Sequence, residues 1–167
     1  RASKSGIDVV VVSSDKDLMQ IVTPRVRLWD TMKDRWYDPQ AVKNRFGVDP
    51  GQIVELIAFM GDSVDNIPGV TGIGEKTARA LIAQFGSVEQ VLGRLDEVRT
   101  LEGLRGAQKI AERLQEGAAM ARLSRELATV KRDVDVGVAP EELRWTPPEP
   151  SALRDRKSTR LNSSHRT

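Results

Sequence analysis

The chain reads as α/β at its start and helical afterwards: a remnant of a mostly parallel sheet flanked by helices, then a run of helices joined by glycine-containing turns. Three observations predict this. Ile7 to Val12, IDVVVV, is a β-branched run entered through Gly6, the pattern of a strand buried on both faces as in a parallel sheet. Asp38-Pro39 and Asp49-Pro50 each set an acidic cap before a first-turn proline, a helix-opening device. Beyond Gly47 strand patterns stop, and helical stretches separated by glycines take over.

Taken in order, Ser13-Ser14-Asp15-Lys16-Asp17 supplies turn and cap chemistry before a short helix, Leu18 to Val22. A second strand is expected at Arg25–Trp29 after Pro24, and a third at Arg35–Tyr37. Asp38-Pro39 opens a helix that ends at Gly47. Asp49-Pro50 opens the next, with Ile53, Leu56, Ile57 and Met60 on one apolar face. Helices are then expected at Glu75–Phe85, Val88–Leu95, Ala107–Gly117 and Met120–Thr129. After Val130 the chain turns polar and proline-rich, ending in WTPPEPSAL, which reads as an edge or linker. The expected organisation is an α/β part over 1–46, a helical part over 47–135 with its glycine turn at 69–77, and a closing edge over 136–154.

Composition narrows the chemistry. A hydrophobic fraction of 39% and a charged fraction of 30% are those of a globular protein. No apolar run approaches the roughly 20 residues that span a bilayer, so no membrane partner and a cytoplasmic location are expected. There is no cysteine, which excludes disulfides, thiolate metal sites and a cysteine nucleophile. The net charge of +2 is a property of the tail: residues 155–167, DRKSTRLNSSHRT, carry +3 and leave −1 for the rest. Asp155 to His165 resembles one reading frame of a sequencing-library adapter, so this tail, with the only histidine, is expected to be foreign and disordered. Any chemistry then rests on carboxylates, lysines, hydroxyls or metals.

Two acidic pairs stand out: Asp15 and Asp17 just after the first strand, and Asp62 and Asp65 in GDSVDNIPG at a helix end. Functional groups of a parallel sheet collect beyond the carboxyl ends of its strands. Spacings of two and three let both members of each pair face one point. Clustered carboxylates repel one another unless cations bind, and hard oxygen ligands favour Mg²⁺ or Mn²⁺. The same residues also suit a helix cap and a tight turn held by side-chain bonds to backbone. Spacing alone leaves both readings open.

The second feature is GVTGIGEKT, Gly69 to Thr77. A phosphate-binding P-loop requires lysine directly after the last glycine and a strand in front; here Glu75 and Pro68 stand in those places. A helix-hairpin-helix turn fits better, its glycines letting backbone approach a DNA phosphate and its next helix offering free N–H groups. Lys76 and Arg79 add positive charge. An ordinary glycine-rich connection between helices fits equally well. Trp29, Trp36 and Tyr37, interleaved with Lys33 and Arg35, suit cross-strand packing better than a nucleic-acid surface.

SSDKDLMQIV, followed by LWDTMKDRWYDPQAVKNRFGVDPGQIVELIAFMGDSVDNIPGVTGIGEKTARALIAQFGSVEQVL, resembles the second half of the 5′→3′ exonuclease domain of bacterial DNA polymerase I. The likeness runs from about Ser3 to Leu153, and LSRELATVKRDVDV resembles that domain's closing segment. The family belongs with the flap endonucleases. The resemblance implies an α/β core followed by a helical DNA-binding part with a helix–three-turn–helix motif. It implies metal binding by Asp15, Asp17, Asp62 and Asp65, with two Mg²⁺ or Mn²⁺ ions in the intact domain. It assigns duplex-backbone binding to the turn, namely Gly69, Val70, Gly72, Ile73, Gly74, Lys76, Thr77 and Arg79, with a K⁺ ion on its main-chain carbonyls. The implied partner is DNA (5′ ends, flaps and duplex), with a polymerase domain in the same parent chain and a monomeric state. The family's further acidic ligands lie upstream of the matched segment, and the chain opens on Arg1 rather than Met. The expectation is therefore a fragment that is inactive alone, with a non-catalytic DNA-binding module as the alternative.

Overall fold

The computed structural model describes residues 2–147 and residue 149. The expected foreign tail at 155–167 lies outside them. The chain falls into two compact units, Arg1–Val134 and Asp135–Thr167. In the second, a single 3₁₀ turn, Pro140–Glu142, is the one regular element among the described residues.

Strand β1 (Val9–Val12) runs parallel to β2 (Val26–Asp30), in register from Val9 opposite Val26 to Val12 opposite Trp29. Strand β3 (Arg35–Tyr37) pairs antiparallel with β2, Leu28 opposite Tyr37. The order β1-β2-β3 makes β1 an edge strand among the described residues. This corrects the expectation of a strand buried on both faces: Val10 is 43% and Val12 61% exposed, while Val11 packs against the core. Burial of a strand on both faces needs a layer on each side, and among the described residues one side of β1 has none. Across β2 and β3, Trp29 and Trp36 stack with ring centroids 5.3 Å apart and planes 5° from parallel. That is the cross-strand packing reading, with the Arg27 guanidinium 5.4 Å from the centre of the Trp36 ring.

The short helix expected at Leu18 to Val22 is a 3₁₀ turn, Asp17–Ile21. Helix α1 (Pro39–Phe46) opens as the sequence predicts, the Asp38 carboxylate accepting from the Ala41 N–H at 2.7 Å. It closes on Gly47, whose φ of 73° lets its N–H reach the Lys43 carbonyl. Asp49-Pro50 begins a 3₁₀ turn, Pro50–Gln52, that leads into α2 (Ile53–Met60). Then follow α3 (Glu75–Phe85), α4 (Val88–Leu92), α5 (Leu95–Arg99), α6 (Ala107–Glu116) and α7 (Ala118–Ala128). The single helix expected over Val88–Leu95 is α4 alone, with α5 as an unforeseen second; Gly93 ends the first, and the chain leaves helical backbone at Arg94, φ −129°.

Helix α2 is the hub. Ile53, Leu56, Ile57, Ala58 and Phe59 are all buried, so the helix is covered by more than its predicted face. It packs most heavily against α7 and next against α3. Its one buried charge, Glu55, is fully committed: Oε1 accepts from Arg125 Nε and Oε2 from the Val88 N–H, each at 2.8 Å. One hydrophobic core runs from Leu28 and Tyr37 of the sheet through α2 to Leu114 and Ala121. Each fully buried Leu or Ile in it contributes roughly 1.5–3 kcal/mol relative to exposure.

Candidate functional site

Folding brings one carboxylate oxygen each from Asp17, Asp62 and Asp65 within 4.8 Å of one another. Among the described residues this is the only such convergence of three ligand-type side chains. Asp17 begins the 3₁₀ turn beyond the carboxyl end of β1. That turn is fixed from behind by buried Gln20, whose Nε2 donates to the Ala128 carbonyl at 2.7 Å. Asp62 follows α2 and sits in a closed loop, its N–H and C=O each bonded to Ile67 at 2.8 Å. Its Oδ1 accepts from the Val64 N–H at 3.0 Å. Asp65 is exposed, on the far limb of the same loop. The loop and the 3₁₀ turn meet through Lys16, whose ammonium pairs with Asp62 Oδ2.

Asp15, the fourth expected ligand, stands outside the group of three. It is exposed, and its Oδ1 accepts the Asp17 N–H at 2.9 Å, so its carboxylate steadies the turn that carries Asp17. The turn-holding reading is realised at Asp15 and Asp62, and three of the four side chains converge.

The charges are unbalanced. The Asp17 carboxyl is held above its ordinary value, by burial first and then by repulsion from Asp15, Asp65 and Asp62, with Lys16 opposing. For Asp62, burial pushes upward, but hydrogen bonds from Lys16 and the Val64 N–H, with the Lys16 charge, outweigh it and hold the carboxyl low. Asp17 Oδ1 is buried with no hydrogen-bond partner among the described residues. A buried, partnerless carboxylate oxygen is costly unless something positive meets it. Three converging carboxylates, one of them carrying that orphan atom, fit a divalent cation of the Mg²⁺ or Mn²⁺ kind.

The glycine turn between α2 and α3 is built from backbone. Gly69 takes φ +65° and lies so close to α2's end that an added Cβ would meet Gly61 N at 2.3 Å. Its N–H donates to Ser124 Oγ at 3.0 Å, and the Val70 N–H to the Phe59 carbonyl at 2.8 Å. Val70 and Ile73 point inward and are buried, leaving only their main chain for a ligand. Gly72, φ +77°, offers its carbonyl to Arg113 Nη1 at 3.0 Å. Gly74 caps α3 with nothing within 4 Å of where a Cβ would stand. Lys76 is exposed, whereas Arg79 is occupied by Glu75 and by the Arg45 carbonyl. Thr77 is partly buried. A cleft of about 350 Å³ lies between the turn and the α6–α7 junction, lined by Thr71, Arg113, Glu116 and Met120 among others. Lys16, Ser124 and the Arg113 contact were missed from sequence; Lys16 lies between two chosen aspartates, a signal that was available.

The fold is flap-endonuclease-like. It superposes on the zinc-bound bacteriophage T5 5′-exonuclease with a TM-score of 0.63 at 30% identity, covering 72% of this chain and 42% of that one. A T5 flap endonuclease in a pseudo-enzyme-product complex with DNA and metal ions gives 0.61 at 28% identity, with the same two coverages. The family model described as 5′-3′ exonuclease, C-terminal SAM fold, matches residues 48–151, and the chain belongs to this nuclease family. It is 42% identical over 149 residues to DNA polymerase I of Bacillus caldotenax, covering 87% of this chain and 16% of that protein. To a 5′-3′ exonuclease of Buchnera aphidicola it is 33% identical over 143 residues, covering 86% and 50%. The chain thus spans half, or much less, of these relatives. Among the described residues, no helix is long and apolar enough to cross a membrane.

Proposed function

We propose that this chain carries part of the metal-ion site and the duplex-gripping turn of a 5′→3′ exonuclease and 5′-flap endonuclease acting in replication and repair. The observation that carries the reading is the convergence of Asp17, Asp62 and Asp65, with Asp17 Oδ1 buried and partnerless among the described residues. These three residues would hold Mg²⁺ or Mn²⁺, with Asp15 steadying or joining them. Bound there, a divalent cation supplies Lewis-acid stabilisation of phosphate oxygens and an activated water, and two such ions roughly 4 Å apart would serve both sides of a phosphodiester displacement. The exposed face of the turn, from Gly72 to Thr77, would meet duplex backbone, with Lys76 supplying charge and main-chain carbonyls holding K⁺. Of the turn's two basic residues, Lys76 is the free one; Arg79 is spent within the fold. The intact parent would be a soluble cytoplasmic protein joined to a polymerase domain and working as a monomer.

The described residues form one converging carboxylate group rather than two, so a two-ion site needs ligands beyond these. Incomplete coupled sites lose catalysis almost entirely. Cleavage by this chain alone is therefore expected to be negligible, with binding retained. The rival reading, a non-catalytic DNA-binding module, predicts DNA binding without metal binding. Mn²⁺ titration calorimetry and 5′-flap duplex gel shifts on the purified chain separate the two. The expected result is Mn²⁺ binding that disappears in the Asp62→Asn, Asp65→Asn double variant, with salt-sensitive duplex binding unchanged. Duplex binding by a chain that takes up no Mn²⁺ would favour the module.

A further inference from the structure

Two lysines of the described chain meet a buried aspartate: Lys33 pairs with Asp30 three residues away at 3.8 Å, whereas Lys16 reaches Asp62 across the fold. Its ammonium lies against Asp62 Oδ2, while the Asp62 side chain is only 2% exposed and that of Lys16 is 35% exposed. The residue thus enters the acidic cluster from solvent on a flexible stem, between Asp15 and Asp17 in sequence. It supplies a single positive charge to a cluster of three carboxylates, and leaves Asp17 Oδ1 without a partner.

We propose that Lys16 is a tethered counter-ion: it neutralises Asp62 in the metal-free chain and yields that carboxylate when a divalent cation enters the cluster. The inference rests on the metal-binding reading above. Its physical basis is competition. A lysine ammonium is a point charge on a four-carbon stem and can leave a carboxylate without disturbing the backbone. A divalent cation brings twice the charge and can meet all three oxygens together, which one ammonium does not. The consequence is a built-in trade: Lys16 limits repulsion within the empty cluster and weakens metal uptake by the same interaction.

Two measurements on the full chain test this. The first is acetylation of lysines, read residue by residue by mass spectrometry in EDTA and in Mg²⁺. Lys16 is expected to be protected in EDTA and to react severalfold faster in Mg²⁺, while exposed Lys76 reacts equally in both. The second is Mn²⁺ titration of Lys16→Met, expected to bind about fivefold more tightly, the scale of one partly exposed ion pair. Lys16→Arg is expected to stay near the parent affinity. Unchanged Lys16 reactivity together with unchanged or weaker Mn²⁺ binding in Lys16→Met would overturn the proposal while leaving the metal site intact. Absence of Mn²⁺ binding in both proteins would overturn the metal reading and this proposal with it. Should Lys16→Met fail to fold, the reactivity of Lys16 in the parent chain decides alone.

Discussion

Asp62 and Asp65 of the acidic cluster lie only a few residues from the glycine turn in sequence, yet cluster and turn are held by opposite means. In the turn, main chain bonds to its surroundings through Gly69, Val70 and Gly72. In the cluster, carboxylates crowd together, one of their oxygens lacks a partner, and a single lysine offsets three charges. The turn is a structural device whose outer face is free for a ligand. The cluster is tolerated by the fold rather than stabilising it, as expected where binding rather than stability is served.

That contrast is open to direct attack. The largest effect is expected at Gly69. Gly69→Ala forces a Cβ to within 2.3 Å of Gly61 N at a φ of +65°, and urea unfolding should show a loss of about 3 kcal/mol or more. Gly74→Ala, with open space and ordinary φ, should cost at most about 1 kcal/mol. It is therefore the glycine at which duplex binding can be probed without damaging the fold, whereas bulky residues at Gly72 would also have to displace the Arg113 guanidinium. Equal losses at Gly69 and Gly74 would break the view of the turn as backbone-locked.

Next comes Glu55→Ala, which strands the buried Val88 N–H and releases Arg125; a loss of about 1–3 kcal/mol is expected by the same measurement. In the cluster the sign reverses. Asp17→Asn should raise the melting temperature of the metal-free chain, because it removes a charge that burial and three neighbouring carboxylates oppose. The sign in pH agrees. A carboxyl whose folded pKa is raised destabilises the fold when ionised, so its penalty is present above the folded pKa. The penalty fades as pH falls through that value toward the ordinary 3.8. A lower melting temperature in Asp17→Asn would sink the reading of the cluster as strained.

The smallest effect belongs to the Arg122–Glu89 pair, bidentate at 2.9 Å but half exposed on both sides. The Arg122 hydrogen bonds hold the Glu89 carboxyl below its ordinary 4.5. Any stabilisation is therefore present above that pH and lost as pH falls through the lowered value. Glu89→Gln should shift the melting temperature less than any variant above, and added salt should erase the difference.

Much of this was legible in the residues. The Asp-Pro openings, the Gly47 stop and the span of α3 follow from local capping and backbone preference, which depend on neighbours in sequence. Asp15, Asp17, Asp62 and Asp65 stood out as two acidic pairs, but spacing left cap and turn readings open beside metal binding, and only the family resemblance favoured the latter. Only the tertiary structure decided the rest. It covered α2 on more than its predicted face, split the expected Val88–Leu95 helix, and left β1 as an edge, since burial depends on which layers are present. It separated Asp15 from the three converging carboxylates and tied up Arg79 while leaving Lys76 free. It also set Lys16 against Asp62, 46 residues away. Electrostatic partnership acts through space over a few ångströms, and no pattern along the chain encodes which distant charges will meet.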